Sequence, residues 1–73
     1  HHMARVICKY SVVIDGHRTS VSLEPEFWSA LKMVATKRGL TLSALVAEVD
    51  RTRLGNLSSA LRVFVLNELR AMP

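Results

Sequence analysis

Cysteine occurs once in this 73-residue chain, at Cys8, so no disulfide can staple the chain to itself. His1 and His2, ahead of Met3, read as the stub of a cleaved purification tag. With those two set aside, Cys8 and His17 are the only soft ligands, too few for a closed zinc site. No cofactor is implied. The longest unbroken apolar runs, Ala44 to Ala47 and Val63 to Leu66, have four residues, so no segment is expected to span a membrane. A secretory hydrophobic stretch is missing too, and the expectation is a cytoplasmic protein of bacterial type. The three glycines stand apart at Gly16, Gly39 and Gly55, and no glycine-rich phosphate loop exists. Paired-carboxylate motifs are also missing. His17 is the one side chain able to act as a base at neutral pH, and a nucleophile needs a base in reach and a third group to orient it. On this inventory the chain is not an enzyme.

A chain of about seventy residues buries only about 60% of its unfolded surface, so a single core is marginal without disulfides, metal or a partner subunit. With the first two devices excluded, oligomerisation remains. The charge balance is basic: ten Lys and Arg against six Asp and Glu give +4, with a pI near 10.0. That excess bears on partners and solubility, with nucleic acid or an acidic protein as candidates.

What the chain does have, first, is alternation with a turn in its middle. Asp15-Gly16 is a two-residue hairpin signal, since type I′ geometry needs positive φ at both positions. Folding there pairs Ile14 with His17, Val12 with Thr19, Tyr10 with Val21 and Cys8 with Leu23 on one mostly apolar face. Lys9, Ser11, Val13, Arg18, Ser20 and Ser22 take the other, mostly polar face. Strands are predicted at about 7–14 and 17–23. Pro25, with acids on either side, then opens a helix over about 25–38, whose apolar positions are Phe27, Ala30, Leu31, Val34 and Ala35; Gly39 ends it. Thr41 caps a second helix, about 42–53, striped by Leu42, Leu45, Val46 and Val49. Asn56 caps a third, about 57–71, with a wide apolar face of Leu57, Ala60, Leu61, Phe64, Val65 and Leu69. Residues 3–73 are expected to form one domain, without internal repeats.

The order of strand, helix, the turn Gly39-Leu40-Thr41-Leu42-Ser43 and a second amphipathic helix resembles the ribbon-helix-helix family of DNA-binding domains, of the Arc/MetJ type. The likeness covers about residues 17–50. It extends to a subgroup of short bacterial members through Gly16-His17-Arg18-Thr19-Ser20, Leu23-Glu24, Phe27-Trp28 and Gly55-Asn56-Leu57-Ser58-Ser59-Ala60-Leu61-Arg62. The resemblance implies that two chains pair strands into an antiparallel ribbon whose outward side chains enter the major groove, and that the inter-helix turn sets backbone amides against a phosphate. Arg18, Ser20 and Ser22 would then read bases, and Thr41, Leu42 and Ser43 would hold a phosphate. Lys9, Lys37 and Arg38 would add nonspecific phosphate attraction.

Several residues sit awkwardly in that scheme. Arg18 can make a bidentate contact to guanine, whereas Ser20 and Ser22 are short and discriminate bases poorly. Glu24 would repel phosphate if it pointed outward. Two hairpins side by side make a sheet three spacings of about 4.8 Å wide, against a major groove of about 12 Å. Either the N-terminal strands move aside, or the sheet meets DNA in another way, or this branch does not read DNA. Outside the family scheme, Arg18 is a solvated arginine, Ser20 and Ser22 are ordinary strand residues, His17 flanks a turn, Cys8 is a small buried hydrophobe and Trp28 lies in or beside the core. The expectation is an α+β, intertwined ribbon-helix-helix homodimer with an extra N-terminal strand and a third C-terminal helix. Its function would be sequence-specific double-stranded DNA binding as a small transcriptional regulator. The alternative is a protein-interaction module, an antitoxin-like or adaptor dimer that presents its third helix to a protein partner.

Overall fold

Asp15 and Gly16 both take left-handed φ angles, 49° and 81°, so the chain reverses in two residues with the twist that antiparallel strands require. In the computed structural model, which describes residues 6–72, this turn joins strand β1 (Cys8–Ile14) to strand β2 (His17–Leu23). His1 and His2, with the tag reading, lie outside the described residues. The register pairs Cys8 with Leu23, Tyr10 with Val21, Val12 with Thr19 and Ile14 with His17, as the sequence predicts. Val12, Ile14, Val21 and Leu23 are buried on one face; Lys9, Ser11, Val13, Arg18 and Ser20 are exposed on the other. β1 is paired with β2 along its whole length in the single chain.

Three helices cover the apolar face: α1 (Pro25–Arg38), α2 (Leu42–Thr52) and α3 (Leu57–Ala71). Pro25 and Glu26 occupy the first turn of α1 and Lys37 and Arg38 its last, each charge at the end of the dipole that favours it. Gly39, at φ 70°, ends the helix, and the Leu40 N–H returns to the Ala35 carbonyl at 2.9 Å. That left-handed stop satisfies otherwise orphaned carbonyls and leaves only Leu40 and Thr41 before α2 begins. The Thr41 hydroxyl accepts from the Ala44 N–H at 3.1 Å, and the Asn56 side chain does the same for Ser59 at 3.1 Å, so both expected caps are in place.

The core draws on every element. Leu23, Leu31, Leu45 and Leu61 are all at 0% exposure, and no polar side chain is buried among the described residues. β1 partners β2 within the chain, as the Asp15-Gly16 signal predicts, because a two-residue turn closes the pairing locally. α3 supplies the remaining cover through Leu57, Leu61 and Val65. Cys8, expected to be buried, is only half-buried, since it opens an edge strand.

α3 also holds β2 from the side. The Ser22 N–H donates to Ser58 Oγ at 3.0 Å, and the Ser22 carbonyl accepts from Arg62 Nη2 at 3.3 Å. Arg62 Nε meets Glu24 Oε1 at 3.0 Å, which explains why Glu24, at the N-cap of α1, makes no side-chain cap bond. A β-strand edge is thereby satisfied by a helix rather than by another strand.

Leu61→Ala should lower stability by about 2–5 kcal/mol in urea titration, since it opens a cavity where hairpin and helices meet. Ser58→Ala should leave circular dichroism unchanged while speeding hydrogen exchange at the Ser22 amide, which is left without its acceptor.

Candidate nucleic-acid interface

The outward face of the hairpin is arranged in three rows. Lys9 lies beside Ser22, Ser11 beside Ser20 and Val13 beside Arg18. None of these six residues is an acid. Lys9 and Arg18 are exposed, and neither has an ion-pair partner among the described residues. Ser20 is exposed, while Ser22 is half-buried where its backbone meets Ser58 and Arg62. Of the three residues singled out for base contact, Arg18 and Ser20 are open to a ligand and Ser22 is set back.

The expected phosphate site lies at the start of α2. Thr41 spends its hydroxyl on the Ala44 N–H, so the backbone N–H groups of Leu42 and Ser43 and the exposed Ser43 hydroxyl are what remain to meet an anion. No acid occupies the first turn of α2, which keeps the positive end of the helix uncompensated. Leu42 is half-buried, its side chain packed against the core.

Charge pairing separates the cations into two sets. Arg38 Nη2 is 2.7 Å from Glu68 Oε2, its Nη1 is 3.7 Å from Glu48, and its guanidinium lies 5.3 Å from the centroid of the Phe64 ring. Arg53 meets Asp50 at 2.7 Å and also donates to the Gly55 carbonyl; Arg62 meets Glu24. Four of the six acids are therefore held by three arginines. Lys9, Arg18, Lys32, Lys37, Arg51 and Arg70 are left without an acidic partner among the described residues. Arg38, expected to attract phosphate, is already balanced by two carboxylates and ties α1 to α2 and α3 instead. Glu24, a source of repulsion had it pointed outward, is turned toward Arg62 and neutralised.

Beside the hairpin, on its core side, the rings of Tyr10 and Trp28 stack at 4.1 Å with an interplanar angle of 4°. Partial burial, then a hydrogen bond and charge interaction with Cys8 and the nearby Glu26 carboxylate, hold the Tyr10 hydroxyl above its ordinary range. It stays neutral at physiological pH, on the opposite side of the hairpin from Lys9 and Arg18.

Ser58, Arg62 and Glu24, which clasp Ser22 and the strand end, were not among the expected site residues. The bonded pairs of this clasp are 36 to 40 positions apart, and no local pattern joins them.

Comparison with known proteins agrees with this arrangement. A solved structure, described as an uncharacterized protein from Bordetella pertussis Tohama I, is similar at 28% sequence identity and a TM-score of 0.73. The likeness covers 90% of this chain and 58% of that one, so this chain spans rather more than half the length of that relative. No curated protein matches. A profile of the ribbon-helix-helix domain matches residues 7–69, which include both strands and nearly all of the three helices. Such domains are in general DNA-binding regulatory domains rather than enzymes. With the polar-outward strand, the Gly39 stop and the α2 cap all present, the chain belongs to the ribbon-helix-helix domain family.

Proposed function

We propose that the protein is a sequence-specific double-stranded DNA-binding regulator, acting as a homodimer in the cytoplasm, that meets DNA with the outward face of its hairpin and the start of α2. The observation that carries this reading is the outward face itself, where Lys9 and Arg18 stand exposed, without an ion-pair partner among the described residues and with no acid beside them. Arg18 is the base reader, because its guanidinium can span two acceptors on guanine. Ser20 adds a short, weak contact, and Ser22 contributes least because α3 draws it back. Leu42 and Ser43 hold a phosphate through their amides, with Thr41 ordering the turn. Lys9 and Lys37 add nonspecific attraction.

A second reading has its own observation. Leu54 is 98% exposed, Val63 56% and Leu66 50%, and with Phe64 and Val49 the first two line an open groove of about 390 Å³ between the end of α2 and α3. An interaction module would receive a protein partner there.

Binding to the chain's own upstream DNA and to a scrambled duplex, measured by anisotropy across a salt series, tests the first reading. Arg18→Ala should relax discrimination by roughly 1–3 kcal/mol for each bidentate pairing with guanine that it removes, at positions related by symmetry. Lys37→Ala should weaken both duplexes and flatten the salt slope by roughly one unit per phosphate neutralised in the parent protein. In the same assay, Ser43→Glu should weaken all duplexes alike while preference survives, since it adds repulsion at the phosphate. If none of the three alters binding, while Val63→Lys releases a co-purifying protein, the interaction module is the function.

A further inference from the structure

At the end of β2, α3 does more than supply cover. A two-residue type I′ turn makes Ile14 and His17 a hydrogen-bonded pair, and pairs alternate from there, so the N–H and C=O of Ser22 point out of the hairpin. Ser58 and Arg62, one turn apart on α3, take up both groups, while the edge along β1 stays open in this two-stranded sheet. Arg62 is bonded twice over. Its Nη2 holds the Ser22 carbonyl at 3.3 Å, and its Nε donates to Glu24 Oε1 at 3.0 Å.

The acid that Arg62 holds stands at a sensitive place. Glu24 has an extended backbone, φ −65° and ψ 146°, and continues the alternation of Arg18, Ser20 and Ser22, so the period of the strand puts it next in line on the outward face. Its side chain is 16% exposed and that of Arg62 30%, which takes the pair largely out of water. A carboxylate that loses its cation at such a depth is costly to keep there, and turning out to solvent relieves the cost. Solvent on that side is shared with Lys9 and Arg18, the cations of the hairpin face.

We infer that Arg62 is a positioning residue for the DNA-facing surface: it draws Glu24 back against α3 and cancels its charge, and so keeps the hairpin face cationic without itself touching DNA. The inference rests on the reading of that face as the DNA surface. It gives α3 a part in DNA affinity that is separate from any partner, since Ser58 and Arg62 turn toward the hairpin while Ser59, Val63 and Phe64 line the groove beside α2. The size of the effect follows from Coulomb's law. A carboxylate about 7 Å from a phosphate in water is repelled by about the thermal energy, so each Glu24 set free of Arg62 should weaken binding roughly threefold.

Neutralising the pair one member at a time separates masking from contact. Arg62→Gln, which keeps the alkyl stem, should weaken duplex binding roughly threefold per chain at about 0.1 M salt. It should also lower the salt concentration that elutes the protein from heparin-agarose, a resin that retains a chain of pI near 10.0 whether or not it reads DNA. Adding Glu24→Gln restores the net charge at the site, and both values should return to those of the parent. Adding Glu48→Gln instead restores the same net charge beside Arg38, at the far end of α1 and about 20 Å along its axis, and should recover neither. Circular dichroism checks that each variant is folded; where Arg62→Gln alone is not, the doubly neutral pair decides, with parental binding expected and weakened binding showing that Arg62 touches the anion itself. Recovery by Glu48→Gln, or no recovery by Glu24→Gln, overturns the inference. A parent that binds no duplex but gives the heparin pattern keeps the masking and loses the DNA-binding reading; a parent that binds duplex without that pattern keeps the reading and loses the role of Arg62.

Discussion

Two left-handed residues, Asp15 and Gly16, set the conditions for everything else in this chain. A two-residue turn admits one register, and a slip of one residue would carry Val12, Val21 and Leu23 to solvent and Lys9 and Arg18 into the core. Sorting the side chains sorts the backbone as well, because the same alternation decides which N–H and C=O groups face outward. Burial, the cationic face and the open edge are three readings of one turn.

The helical layer secures this hairpin on two sides. It closes the apolar face and holds one edge of β2, and the charges that perform the holding are drawn from the same small pool that a DNA site needs. Arg38, Arg53 and Arg62 are committed to carboxylates inside the fold. Lys9, Arg18 and Lys37 are not, and the difference is positional: the former have carboxylates brought to them where helices or loops converge, while the latter are exposed with no acidic partner among the described residues. Net charge alone does not separate them, and the packing does.

Much of the architecture was legible in the sequence because its signals are local. Asp15-Gly16 set the register, Pro25 and Gly39 bounded α1, and Thr41 and Asn56 marked the next two starts; only a strand start and a helix end differ, each by one residue. Arg18, Ser20, Ser22 and the turn residues were legible as candidates through the family resemblance. The fate of Arg38, Glu24 and Ser22 was not. Each depends on a partner on α3, dozens of positions away, and a residue's periodicity says which face it occupies but not which opposite charge the fold brings to it. The same limit applied to the ribbon, where alternation identified the strands without saying which edge a helix would cover.

The Tyr10 and Trp28 stack has an optical consequence. Trp28 is the sole tryptophan of the chain and sits on α1, while its ring partner sits on β1, so the pair spans the contact between the hairpin and the helical layer. An indole lying flat against a phenol at 4.1 Å emits differently from one in water. The chain thus carries an intrinsic fluorophore at the seam between its two layers, one that reports any parting of the strands from the helices.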